Sequence, residues 1–214
     1  MSNADAMALA AAERADVADL LDTLTPPQWE SPSLCDGWRV RDVVAHLIGY
    51  EGQGLRLLTT AVRGRFSLHR MNSVVVDDWS GRDTADLVAT VRRHLRPSGP
   101  TAAFGGRVGL LDGLVHHQDV RRPLGLPREV PADRLAEALR FVPKARPLRA
   151  GPRIRGLRLV ATDLDIRIGD GQEVTGPAEA LLMAAAGRAD ALPELSGPGA
   201  RVLADRIRGG QRTT

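Results

Sequence analysis

Apolar residues recur at helical spacing through most of the first 142 positions, and the pattern breaks where proline and glycine stand. Leu9, Val17, Leu20 and Leu21 share one side of a helix over 8–24, which stops before Pro26 and Pro27. A second pattern starts after Asp36 and Gly37, where Asp36 has the side chain to cap. It runs through Val40, Val43, Val44, Leu47 and Ile48 towards Leu58, which makes it the longest helix the spacing predicts. Residues 64–82 hold no sustained period and read as a long ordered loop with short helical pieces. Helical spacing returns over 83–95 through Leu87, Val91 and Leu95, and Pro97-Ser98-Gly99-Pro100 ends it. Another helix covers 107–120 and closes at Pro123-Leu124-Gly125-Leu126-Pro127, and a further one covers 131–142 with Pro143 as its stop.

Beyond Pro143 the period changes. Residues 156–162 alternate and are partly β-branched, residues 165–168 alternate more weakly, and Gly169-Asp170-Gly171 is a turn, so a small antiparallel sheet is expected after the helices. Gly176 and Pro177 open an Ala/Leu-rich helix to Ala186, and residues 199–207 give a last one. The fold class expected is mainly α: a four-helix bundle over residues 1–144, followed by a small α+β region over 145–214 that packs on the bundle.

Composition narrows the functional classes. With 214 residues, 43% of them hydrophobic, the chain can bury a proper core without staples. The formal net charge is only +3. The high pI reflects basic residues that are almost all Arg, Lys144 being the single Lys, and with no dense basic tract the expectation is no nucleic-acid partner. A single cysteine, Cys35, rules out an intramolecular disulfide and fits a reducing, cytoplasmic compartment. The Ala-rich N-terminus carries acidic residues and lacks a basic leader region, so it reads as a helix and not as a signal peptide. No run reaches the roughly 18 uncharged apolar residues that a membrane span needs.

Candidate chemistry concentrates on two helices. Asp112 and His116 stand at i and i+4 and so stack one turn apart, and with about 100° per residue Asp112, His116 and Asp119 fall within roughly 60° of one another, beside the stripe Val108, Leu111 and Val115. His46 sits likewise on the shoulder of the stripe made by Val43, Leu47 and Tyr50. Two imidazoles and one carboxylate suit a divalent transition metal with positions left open for water or a ligand. On spacing alone, a histidine on a helix shoulder is more often a hydrogen-bonded core residue. His117 points about 100° away from His116 and reads as an exposed or interhelical side chain. His69, in the loop, and His94, at a helix end among arginines, read as solvated, and Cys35 reads as a small buried hydrophobe before a reactive thiol.

The segments Ser33-Leu34-Cys35-Asp36-Gly37-Trp38 and Val40-Arg41-Asp42-Val43-Val44-Ala45-His46-Leu47, together with Asp112-Gly113-Leu114-Val115-His116-His117-Gln118-Asp119-Val120-Arg121-Arg122-Pro123-Leu124-Gly125, resemble the signatures of the mycothiol-dependent maleylpyruvate isomerase family, itself similar to the DinB-like bundles. Residues 156–163 and 176–182 resemble the family's C-terminal region. The resemblance implies a DinB-like bundle in which His46, Asp112 and His116 hold a divalent metal, zinc before nickel or another ion, with Asp112 where the family's best-known carboxylate is Glu. It further implies mycothiol as a thiol cofactor, a small electrophilic substrate, and isomerase or S-transferase chemistry by a monomer or homodimer. Asp119 is the candidate to orient His116, and Arg121 or Arg122 could meet an anionic substrate at the rim. The alternative is a non-catalytic protein that uses the same metal pocket to sequester a small molecule.

Overall fold

The computed structural model describes residues 2–51, 56–65, 67–79 and 81–211, mostly as helix with a small sheet late in the chain. Two compact units emerge, Met1–Pro127 and Arg128–Thr214.

The first unit begins with α1 (Asn3–Leu21), where Ser2 and Asp5 close a reciprocal capping box: the Asp5 N–H donates to Ser2 Oγ at 3.2 Å and the Ser2 N–H to Asp5 Oδ2 at 2.9 Å. The short α2 (Pro26–Trp29) starts on the two prolines that end the first pattern. The next helix, α3 (Val40–Gly49), starts later than Asp36. Gly37 takes a left-handed turn at φ 75°, and Arg39 becomes the cap, its N–H donating to Asp42 Oδ2 at 2.9 Å while its guanidinium clasps the same carboxylate. Nor does α3 run to Leu58. It ends at Gly49 with Tyr50 as its cap, residues 52–55 lie outside the described residues, and α4 (Arg56–Arg63) follows.

The expected loop over 64–82 contains a continuous helix, α5 (Leu68–Trp79), whose Val75 and Val76 are buried. Its Ser, Asn and Asp positions interrupt the apolar period, and packing on α3 overrides that local signal. His69 therefore falls in a helix, while the expectation that its side chain is solvated lies outside the described residues. The unit is completed by α6 (Thr84–Arg93), capped by Asp83, and by α7 (Arg107–Arg121), which starts on the left-handed Gly106 at φ 91°. In the bundle α1 and α3 each pack against both α6 and α7, which closes a four-helix ring around Val17, Leu21, Val40, Val44, Ile48, Leu87 and Val91.

The second unit opens with α8 (Ala132–Phe141), which the sequence assigns to the bundle. The division falls at residue 127/128, ahead of the expected 144/145, because α8 buries Leu135, Ala138 and Leu139 and packs with a helix of this unit, α10. After α9 (Ala150–Ile154) come β1 (Leu157–Ala161), β2 (Arg167–Ile168) and β3 (Gln172–Gly176), then α10 (Ala178–Ala185), whose first N–H is held by Asp163 Oδ1 at 2.8 Å, and α11 (Ala200–Gln211). The sheet order is β2-β1-β3. It is mixed and not purely antiparallel, since β1 pairs β2 antiparallel and β3 parallel. The link from β2 to β3 passes the start of β1, and both glycines of the turn have positive φ. A Cβ on Gly169 would lie 2.5 Å from the Leu157 carbonyl oxygen, and one on Gly171 closer still to that of Gly156. Among the described residues no helix is long and apolar enough to cross a membrane.

Gly49 lets α3 approach α5, since a Cβ there would overlap Val75 Cγ1. Gly49→Ala is expected to destabilise the protein by about 1–3 kcal/mol through overpacking, read as a lowered midpoint in denaturant titration with unchanged slope. Full retention of the midpoint would show that this helix contact yields freely.

Candidate metal centre

The polar residues that matter are presented by α3 and α7, which pack directly against each other. His46 lies two turns into α3, and Asp112 and His116 are one turn apart on α7. One donor atom from each lies within 4.8 Å of the others. His46 Nε2 is 3.8 Å and His116 Nε2 3.5 Å from the same oxygen, Asp112 Oδ1. The two imidazoles meet edge-on at 4.9 Å between centroids, with Trp38 at 5.3 Å and Tyr50 at 5.9 Å from the His46 ring. Both histidines are buried, whereas the Asp112 side chain keeps 23% of its surface exposed and so marks the open side of the cluster.

The other nitrogen of His116 is held inside the helix. Asp119, fully buried, places Oδ2 2.8 Å from His116 Nδ1. An ionised carboxylate can only accept, so Nδ1 carries a proton and a neutral ring presents its Nε2 lone pair towards Asp112 and His46. Tyr50 donates its hydroxyl to Asn72 Oδ1 at 2.6 Å. Burial first, and then the charge of Asp112, push its phenol up to about 12, so it remains a neutral wall of the site.

Charges within the cluster reinforce one another. Burial opposes the charge on His116, but the Cys35 sulfur, the Asp112 carboxylate and the bond to Asp119 outweigh it and raise the imidazole from 6.5 to about 10. Burial likewise works against ionised Asp112, yet His116, His46 and Arg14 hold its carboxyl down from 3.8 to about 2. Without a metal, then, opposite charges face one another across the cluster, and a cation entering it displaces a proton from His116.

Other candidates are placed elsewhere. His117, one residue from His116, is buried between helices: Nδ1 lies 2.8 Å from Glu13 Oε1 of α1, and Nε2 accepts from Arg121 Nε at 2.8 Å. Arg121 thus engages His117 through its Nε. Arg122 follows the last residue of α7, six positions beyond His116, and its N–H caps Gln118 O. His94 caps α6, its ring Nδ1 3.0 Å from Thr90 O, and its carbonyl accepts from Arg14.

Two buried polar groups have no counterpart in the sequence pattern, and Cys35 has surroundings that the pattern does not show. Glu51 is buried and accepts from Arg14, Thr101 and Ser98 at 2.6–2.9 Å. Arg14 and Glu13 face inward from α1, where two adjacent charged residues would ordinarily mark the solvent side. Cys35, half-buried, brings Sγ to 3.1 Å from Asp119 Oδ2 and 3.7 Å from His116 Nδ1, so it is no isolated hydrophobe. Only the meeting of two distant segments reveals it.

The Mycothiol maleylpyruvate isomerase N-terminal domain profile matches residues 10–97. Over those residues the chain is similar to that domain. That domain match contains His46 and Cys35 and stops before Asp112, so α7 comes from beyond it. Among solved structures, the chain superposes on a mycothiol-dependent maleylpyruvate isomerase with a TM-score of 0.60, and on a histidine-to-alanine mutant of such an enzyme with 0.59. Identity is 14% in each case, and 94% of both chains is covered. The fold is therefore shared over nearly the whole length. No curated protein sequence matches the chain.

These charges predict a pH dependence for metal-free protein. A raised His116 contributes stability that is complete below 6.5 and is lost as pH rises through about 10, whereas a lowered Asp112 contributes stability present above 3.8 and lost as pH falls through about 2. Thermal melts of chelator-treated protein should accordingly decline from pH 6.5 towards 10, and His116→Gln should flatten that alkaline limb. An alkaline limb unchanged by the substitution would locate the titrating group elsewhere.

Proposed function

We propose that the chain is a divalent-metal enzyme that uses a low-molecular-weight thiol, mycothiol, to transform a small electrophilic substrate by isomerase or S-transferase chemistry. One observation supports the reading above the others: two buried imidazoles and a carboxylate from α3 and α7 converge, and the back of one imidazole is held by Asp119. The donor set fits the group, since two nitrogens and one oxygen with one partly exposed member suit zinc, or nickel, while leaving positions for a ligand.

His46, Asp112 and His116 would hold the ion. When bound, it would supply Lewis acidity that stabilises the mycothiol sulfur as thiolate at neutral pH. The chain's own residues do the rest. Asp119 fixes the ring of His116 and its tautomer, Asp112 contributes the anionic donor on the open side, and Trp38 and Tyr50 shield His46 from water. Thiolate chemistry needs a compartment in which thiols stay reduced, and a chain with one cysteine suits it.

The reading is tested on the ligands themselves. Asp112→Ala should weaken metal binding by more than the roughly 10–100-fold typical of losing an outer hydrogen-bond partner, Asp112→Glu should retain binding, and Asp119→Asn should cost about 10–100-fold. Metal titration with elemental analysis, beside thermal melts of each apo variant, gives the affinities. Equal affinity in wild type and Asp112→Ala removes Asp112 from the site. Mycothiol-dependent turnover of an electrophile by the loaded enzyme, as opposed to stoichiometric capture, separates catalysis from sequestration.

A further inference from the structure

His116 presents a second donor cluster on its opposite edge. Cys35 Sγ, His116 Nδ1 and Asp119 Oδ2 form a triangle with sides of 2.8, 3.1 and 3.7 Å. It resembles the His46 cluster in having three potential ligands of mixed type, and differs in containing sulfur. Tetrahedral zinc, with bonds of about 2.0–2.3 Å, keeps its donors about 3.3–3.6 Å apart, so displacements of a few tenths of an ångström would admit an ion.

The elements are built to keep these atoms in place. The Cys35 loop is anchored to α7 by the Leu34 N–H on the Asp119 carbonyl at 3.0 Å, and it is tied internally by Cys35 N–H on Ser33 Oγ at 3.1 Å and Trp38 N–H on the Cys35 carbonyl at 2.9 Å. Asp119 and His116 belong to one helical turn, so their separation is set by α7 itself. Asp119 is fully buried and Cys35 is half-buried, so the triangle is nearest to solvent on the Cys35 side. The two hydrogen-bond donors already converge on a single carboxylate oxygen, the arrangement a cation would replace.

We propose that Cys35, His116 and Asp119 form a second cation site, selective for soft, thiophilic ions, distinct from the site that contains His46 and Asp112. Binding expels the thiol proton of Cys35 and the Nδ1 proton of His116, and the ion takes their places between sulfur, nitrogen and oxygen. Sulfur biases this edge of His116 towards Zn²⁺, Cd²⁺ or Cu⁺ and away from Mg²⁺ or Mn²⁺. Occupancy also removes Asp119's hold on the His116 ring, so a soft ion here disturbs the neighbouring cluster. The proposal shares His116 with the first cluster through the opposite ring nitrogen, and it uses neither His46 nor Asp112.

The test uses Cd²⁺ as probe, with reductant free of thiols. In His46→Ala, which disables the first cluster, Cd²⁺ should bind with one ion per chain and develop ultraviolet thiolate-to-metal absorption. Cys35→Ser in that background should abolish the absorption, and Asp119→Asn should weaken the affinity at least about tenfold, as expected when a site loses a donor. Far-ultraviolet dichroism of the apo variants confirms that each is folded, and Cys35→Ser, nearly isosteric, carries the test should Asp119→Asn unfold. Absence of thiolate absorption at excess Cd²⁺ overturns the proposal. So does absorption whose affinity is unchanged in folded Asp119→Asn, since Cys35 would then bind alone. Failure of Asp112→Ala to alter metal binding bears only on the first site.

Discussion

A buried helix that carries ionisable side chains must find a partner for every one of them, and this constraint on α7 organises the first unit. His116, His117, Gln118 and Asp119 are four consecutive polar residues, all withdrawn from water. Burying such groups unpaired costs several kcal/mol each in an apolar setting, so the helix is tolerable only where neighbouring elements bring complementary atoms to each face. α1 brings Glu13 to His117, the loop before α3 brings Cys35 to Asp119, and α3 brings His46 opposite Asp112.

Because successive residues on a helix point about 100° apart, adjacent histidines serve different ends. His116 faces α3 and joins a cluster whose Asp112 edge remains partly exposed. His117 faces α1, where Glu13 holds one of its nitrogens, and Arg121 of its own helix holds the other. One imidazole is enclosed and structural in its contacts; the other keeps an edge available. Gly113 belongs to the same design, as a Cβ there would press on Glu13 Cγ at 3.2 Å and strain the approach of α1.

A shared architecture at 14% identity means that the fold is kept while most residues differ, as proteins allow when volume and pattern persist. The N-terminal domain match covers α3 with its histidine, whereas the carboxylate and second histidine arrive on a helix outside it. Completing the cluster therefore depends on the packing of α7 on α3, not on any one continuous motif.

Helix periodicity, proline stops and the change of period after Pro143 were legible in the chain, because each is a local property of backbone sterics and side-chain spacing. So was the pairing of His116 with Asp112 and Asp119, since i, i+3 and i, i+4 neighbours meet on any helix. The helical state of 68–79 was not legible, because contact with α3 and not local pattern stabilises it. The end of α3 at Gly49, the parallel pairing of β1 with β3, and the membership of α8 in the second unit were equally hidden. Each depends on which surfaces meet. The same reason explains why Cys35, Glu13, Arg14 and Glu51 read as ordinary residues: a thiol or a charge acquires its chemistry from atoms 37 to 104 residues away in sequence, and only the folded chain brings them within hydrogen-bonding distance.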